Sequence, residues 1–494
     1  MSTDTTSSSA PSPSPSPSGP GHEPPVVGRR ASVALVVVLF ASFMDLLDVT
    51  IVVVAAPDIA RDLHADQAQL QWMLAAYTLA LGSGLITGGR VGDDYGRRKV
   101  FLVSLACFAV ASAACALATS AEALIAVRAV QGLAGGFMVP QVFGIIRSSF
   151  GPATTARAYG AYGAVQGLAS VAGPLLGGLL IDADLWGLGW RTIFWINIPV
   201  ALVALALGVR TLPESTAPRR ARLDVAGALL SATAVLLVLL PLVQGRDWGR
   251  PWWGWALLAA GLALLVVFAA HERSLAARGG QPVLDPALLS VRSFTAGLAA
   301  SVLFFGALAS FFLVLSIYLQ DGTGRSAWGA GLVILPYALG STIASGAGVA
   351  LAARAGRALL VTGSLVLAAS QMLLWLLVRD GSVPGYWPLA AAMLLGGLGL
   401  GLGAPILVNV VLAGVPARHS GAAGGVLSTV NQIGGAIGVA ALGTVFFDAL
   451  APTGAPATVF GHALAQVMPW QVGAYLLAAV AMLALPRTTT AHRP

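Results

Sequence analysis

Apolar residues run along this chain in blocks of about twenty, separated by short clusters of charge, glycine, proline or tryptophan. Such a block is what one helix needs to cross roughly 30 Å of hydrocarbon. In lipid a helix satisfies its own backbone groups, so the pattern predicts membrane helices and not open strands. Cutting at the breaks gives fourteen spans, at residues 32–54, 69–89, 100–118, 121–145, 158–181, 191–209, 224–243, 253–271, 294–318, 329–351, 359–378, 387–412, 422–447 and 468–486.

Composition agrees. Of 494 residues 57% are hydrophobic and 10% charged, with a mean hydropathy of +0.83; a soluble domain carries about 25% charged residues. The net charge of +7 forms no stripe suited to nucleic acid, because the basic residues stand between apolar blocks. Placed on a cytoplasmic N-terminus, 20 of the 27 Lys and Arg fall on that side, 6 fall on the other, and Arg128 lies inside a span. That bias predicts both termini in the cytoplasm. "SSSAPSPSPSPSGP" within residues 1–28 reads as a disordered Pro/Ser tail and not as a signal peptide. The tryptophans of "RDWGRPWWGW" read as an interfacial anchor.

Enzyme chemistry finds little support. Cys107 and Cys115 are separated by about 12 Å of helix, too far for a disulfide. The six histidines lie in tails, loops or helix ends, and no cluster shows metal-ligand spacing, so no metal is expected. A membrane enzyme would need a nucleophile–base pair or metal ligands at membrane depth.

Charge within the spans is scarce. Asp45 and Asp48 stand in the first and Arg128 in the fourth. Counting helical rise from the outer boundary puts Asp48 and Arg128 at a similar depth, with Asp45 one turn deeper on the same face. A static Asp48–Arg128 pair would stabilise poorly, since desolvation offsets its attraction. Two acids against one base leave a carboxylate to bind and release a proton, so these three residues are assigned to proton coupling, with Asp48 ahead of Asp45. One carboxylate also suits a cationic substrate. Gln131, Tyr162, Gln166, Asn409, Asn431 and Gln432 are candidate cavity groups, each equally able to serve as hydrogen-bonding glue between helices. Phe304, Phe305, Phe311 and Phe312 form an aromatic cluster, at least half of it expected to face lipid.

A faint repeat links "GRRKVFLVS" at the third span with "GRALLVTGS" at the eleventh. Two six-helix halves with an inserted pair explain that offset of eight. The expected organisation is a tail at 1–28, a first bundle at 29–210, a linker with the seventh and eighth spans at 211–292, a second bundle at 293–486 and a cytoplasmic tail at 487–494.

Between the second and third spans stands "GGRVGDDYGRRKV". Its Gly89, Asp93, Gly96, Arg97 and Arg98 resemble the loop signature of the major facilitator superfamily; Val91 and Asp94 depart from it. Arg97, Arg98 and Lys99 are expected to face anionic headgroups. Asp48, Thr50, Ala55 and Pro57 resemble the first-helix signature of the superfamily's fourteen-span drug:proton antiporters, with Val53 in place of an asparagine. Arg128, Gln131 and Gly132 resemble a second signature. Gly173, Pro174, Gly177 and Gly178 resemble the antiporter signature of the fifth helix, with Ala169 in place of a glycine. "GAAGGVLSTVNQIGGAIGVA" near the C-terminus is also similar.

The resemblance covers nearly the whole chain. It implies an all-α polytopic protein of the major facilitator fold that exports lipophilic drugs or antibiotics against protons, with Pro174 bending the fifth helix. No cofactor is expected beyond the proton gradient, and a monomer in a bacterial inner membrane. The alternatives are an exporter of one metabolite and a proton-coupled importer of a nutrient; the fifth-helix signature argues against import.

Overall fold

In the computed structural model, residues 28–214, 224–246, 248–249, 251–280, 282–416, 419–450 and 455–485 are described. Residues 1–27 of the predicted 1–28 tail and the predicted tail at 487–494 lie outside these residues. The apolar blocks form helices α1 (Arg29–Asp62), α2 (Gln67–Tyr95), α3 (Arg97–Ala116), α4 (Ala121–Ser149), α5 (Pro152–Asp182), α6 (Thr192–Trp195), α7 (Asn197–Thr211), α8 (Val225–Gln244), α9 (Trp252–Ala277), α10 (Arg292–Ile317), α11 (Ala327–Val378), α12 (Tyr386–Ala413), α13 (Ser420–Asp448) and α14 (Pro456–Leu483). No strand occurs among the described residues. Thirteen helical segments among them are long and apolar enough to cross a membrane. The 31-residue α5 occupies the position of the fifth predicted span.

Polar residues at the breaks start the helices. Asp66 and Gln69 form a reciprocal cap on α2, Ser120 accepts from Ala123 N on α4, and Ser326 accepts from Gly329 N on α11. Below, the proximal end of the bundle is the end where α1 begins, and the distal end is its opposite.

Four boundaries differ from expectation. The last helix starts at Pro456, twelve residues before the predicted 468, because a short Ala-rich polar stretch keeps a helical register. The tenth and eleventh spans are two helices within α11 that meet without a loop at a kink, where Ala355 has a φ of −135°. Helix α9 runs to Ala277, which brings His271 and Glu272 into its last turns. The loop expected after the second span shrinks to Gly96, whose φ of +106° turns the chain directly from α2 into α3.

Packing rests on close helix pairs. Helix α2 lies against α4, and α11 against α12. A Cβ at Gly132 of α4 would meet the Tyr77 backbone Cα at 2.8 Å; one at Gly397 of α12 would meet that of Tyr337 at 2.9 Å. Small residues at these points let the backbones approach. Helices α8 and α9 pack on each other, and α8 also touches α2 and α13. Leu262, Val266 and Val267 of α9 are exposed, as lipid-facing side chains are. Trp252, Trp253 and Trp255 at its distal start are exposed too, which fits the interfacial anchor.

Candidate functional site: a buried charge network and a helix-end latch

Asp48, Arg128 and Gln131 meet where α1, α4 and α7 come together, and all are excluded from solvent. Arg128 Nη1 donates to Asp48 Oδ2, and also to Gln131 Oε1 at 2.9 Å. Gln131 lies three residues after Arg128 and so projects from the same helix face. Its Nε2 donates to Asp48 Oδ1 at 3.0 Å. Asn197 Nδ2 donates to the same oxygen at 3.0 Å and to Ser112 Oγ at 3.0 Å, and Ser112 in turn donates to Phe194 O. Both oxygens of Asp48 are therefore engaged, by one cation and two amides. Such saturation makes a buried ion pair tolerable. The guanidinium also lies over the Tyr77 ring, 4.3 Å from its centroid.

Asp45 differs. It is half-buried, and its one hydrogen bond comes from Tyr77 OH, at 2.6 Å. Gly135 of α4 leaves it room: a Cβ there would meet Asp45 Oδ1 at 2.7 Å and Tyr77 OH at 3.2 Å. Among the described residues no guanidinium or ammonium bonds to it. The two acids, one turn apart, thus have opposite surroundings.

The signature residues after α2 build a second polar device. Arg97 is buried and gives two hydrogen bonds to Asp93 Oδ1, at 2.9 and 2.6 Å. It does not face headgroups as expected, because Gly96 turns α3 back onto α2; Arg98 reaches Val209 O, and Lys99 alone of the three is exposed. Asp93 accepts from Gly421 N at 3.1 Å and Ala422 N at 2.9 Å, the free backbone groups at the start of α13. A carboxylate is stabilised at a helix N-terminus. Gly89 lets α13 in, since a Cβ there would reach Ala422 Cα at 3.0 Å. Nearby, Arg147 of α4 donates to Leu412 O, Ala413 O and Val415 O at the end of α12. An anion on a helix start and a cation on a helix end tie α2 and α4 to α13 and α12 at the proximal end. Asp94 pairs with Arg90 at 2.9 Å.

The sequence pattern of the Major Facilitator Superfamily matches residues 38–439. The chain belongs to that superfamily. The probable actinorhodin transporter of Streptomyces coelicolor is 40% identical over 440 residues, 87% of this chain and 76% of that protein. The tetracenomycin C resistance and export protein of Streptomyces glaucescens is 35% identical over 424 residues, 83% of this chain and 75% of that protein. The crystal structure of the human organic anion transporter MFSD10 (TETRAN) aligns with a TM-score of 0.64 at 18% identity, over 93% of this chain and 100% of that one. At that identity the likeness shows the fold.

The remaining signature residues of this superfamily member divide. Gly173 and Gly177 of α5 pack on α1: their Cβ positions fall 2.6 Å from Thr50 Cβ and 3.0 Å from Ile51 Cγ1. Gly178 has open space around it. The side chain of Pro174 lies outside the described residues. Of the cavity candidates, Gln131 belongs to the charge network. Tyr162, Gln166, Asn409, Asn431 and Gln432 are half-buried, and Gln166 Oε1 and Asn431 Oδ1 have no partner. Tyr162 stacks edge-on against Phe143 at 5.2 Å. Of the aromatic cluster, Phe304 and Phe311 are fully buried, while Phe305 and Phe312 are half-buried and pack against the core.

Sequence reading missed Tyr77, Ser112 and Asn197. Asn197 did carry a signal, as a lone amide within the apolar run "FWINIPVALVA". Ser112 and Tyr77 carried none, since hydroxyls recur throughout the spans.

Proposed function

We propose that this superfamily member exports lipophilic antibiotics or drugs from the cytoplasm in exchange for protons. Asp45 is the group that exchanges the proton. The observation behind this reading is the contrast on α1: Asp48 is held by Arg128, Gln131 and Asn197, whereas Asp45 has only a phenol and partial exposure. A carboxylate without a cation in a membrane protein's interior is neutralised by a proton. Asp48 and Arg128 then form a fixed electrostatic frame beside it. Substrate and proton compete at Asp45, most directly for a cationic substrate, and each binding event biases the helix arrangement by its differential affinity.

Proximal means cytoplasmic in this reading, from the Lys and Arg bias of the connections. The contacts of Asp93 and Arg147 then close the cytoplasmic side, and their release opens it, with α1–α7 rocking against α10–α14. The chain acts as a monomer in a bacterial inner membrane, without an enzymatic step or a cofactor. One Streptomyces relative is named a probable actinorhodin transporter and the other a tetracenomycin C resistance and export protein, which accords with this reading.

The test is transport of the cationic dye ethidium and a panel of polycyclic antibiotics in everted vesicles, with and without an imposed pH gradient. Gradient-dependent accumulation of at least one compound, lost in Asp45→Asn at unchanged protein level, is the expected result. Accumulation unaffected by collapsing the gradient would refute proton exchange.

A further inference from the structure

Away from the charge network, the proximal ends of α8 and α9 bring Asp224, His271 and Glu272 together, with one donor atom from each lying within 4.8 Å of the others. Asp224 caps α8: its Oδ1 accepts from Gly227 N at 3.0 Å. Its other oxygen, Oδ2, lies 2.8 Å from His271 Nε2. Glu272 is 2% exposed, and its Oε2 accepts from Leu284 N at 2.7 Å. Its Oε1 is buried and has no hydrogen-bond partner among the described residues.

The free oxygens converge. A Cβ at Gly227 would meet Glu272 Oε1 at 2.5 Å and Asp224 Oδ2 closer still, so both acids point at the space that this glycine leaves open. Each carboxylate spends one oxygen on a backbone N–H and turns the other to a common point, which His271 Nε2 also faces. Helix capping explains the first pair of oxygens. It does not explain why two acceptor atoms, one of them wholly buried and unpartnered, are aimed at each other.

We propose that Asp224 Oδ2, His271 Nε2 and Glu272 Oε1 bind a divalent transition-metal ion of the zinc type. One imidazole and two carboxylates suit such an ion, and bonds of about 2.0–2.2 Å require only small side-chain rotations to draw the donors in. The backbone bonds to Gly227 and Leu284 orient the ligating carboxylates, as outer partners do in metal sites. Access is from the side of His271, whose side chain is 32% exposed. The ion would tie α8, α9 and the segment entering α10 into one unit at the proximal end. This site is independent of the transport reading, so either can fail alone.

The test uses the full chain, untagged, in detergent and stripped with a chelator. Titration with cobalt(II) alone should give visible absorption saturating at one ion per chain, displaced by zinc, and zinc should raise the thermal midpoint. His271→Ala and Glu272→Gln should each weaken cobalt binding at least about tenfold. The wild-type titration needs no variant to fold. Absence of saturable absorption in the wild type would overturn the proposal, as would unchanged binding in a folded His271→Ala protein. A metal-free Glu272→Gln protein that matches zinc-loaded wild type in stability, with no zinc response in the wild type, would show a shared proton in place of the ion.

Discussion

Tyr77 and Tyr337 hold the same station in two helix pairs, each with its backbone pressed against a glycine, Gly132 or Gly397. One turn before those glycines stand Arg128 and Met393, both buried. Tyr77 OH bonds to Asp45, whereas Tyr337 OH is buried with no partner. The contrast extends further. Every buried charged residue among the described ones, from Asp48 to Glu272, lies before α10; in α10–α14 the buried polar residues are Ser, Thr and Gln. The later helices show that this packing needs no charge. Packing of this kind therefore does not require Asp45, Asp48 and Arg128, which accords with the role proposed for them.

Removing the charges one at a time should break the comparison most sharply. Arg128→Gln leaves Asp48 buried without its cation, and loss of one partner costs about 3–5 kcal/mol. Thermal unfolding in detergent should show this. Asp48→Asn with Arg128→Met copies the uncharged station of α12; it should regain most of the lost stability while proton-driven transport stays absent. Regained transport would reduce Arg128 to a counter-ion.

Matched tyrosine substitutions come next. Tyr77→Phe removes the donor to Asp45, leaves a carboxyl oxygen unpaired and should cost about 1–3 kcal/mol. Tyr337→Phe removes a buried hydroxyl that bonds to nothing and should be neutral or stabilising by up to about 1 kcal/mol. Equal losses would erase the distinction between the two helix sets.

The fold was legible because hydrophobic block length states it directly. The charged residues were legible because charge is rare at membrane depth. Their separate roles were not. The sequence put Asp48 ahead of Asp45, because nothing local shows that Asn197, from a helix about 150 residues away in sequence, engages Asp48 alone. Arg97 read as a headgroup contact because nothing local shows that one glycine folds α3 back on α2. The Asp224–His271 contact bridges 47 positions, so spacing rules for metal ligands had nothing to detect.

The latch should give a smaller effect. Arg147→Gln weakens a cation–helix-end contact worth up to about 2 kcal/mol. Spin labels on the exposed Lys99 and Arg292 should report a longer distance between the proximal ends. The smallest effect belongs to Asp62 at the distal surface, where Arg191, and after it Trp190, hold the carboxyl below its usual range. Its contribution is present above the ordinary carboxylate range and lost as pH falls through the lowered folded value. Asp62→Asn should therefore change stability by under about 1 kcal/mol at neutral pH, and by nothing in strong acid.

The central claim is that Asp45, and not Asp48, carries the exchangeable proton. Infrared difference spectra of the protein in lipid, between acidic and neutral pH, report protonated carboxyl groups through their carbonyl stretch. One titrating carboxyl band of the wild type should be missing in Asp45→Asn. A full complement of titrating bands in Asp45→Asn, with one missing in Asp48→Asn, would contradict it.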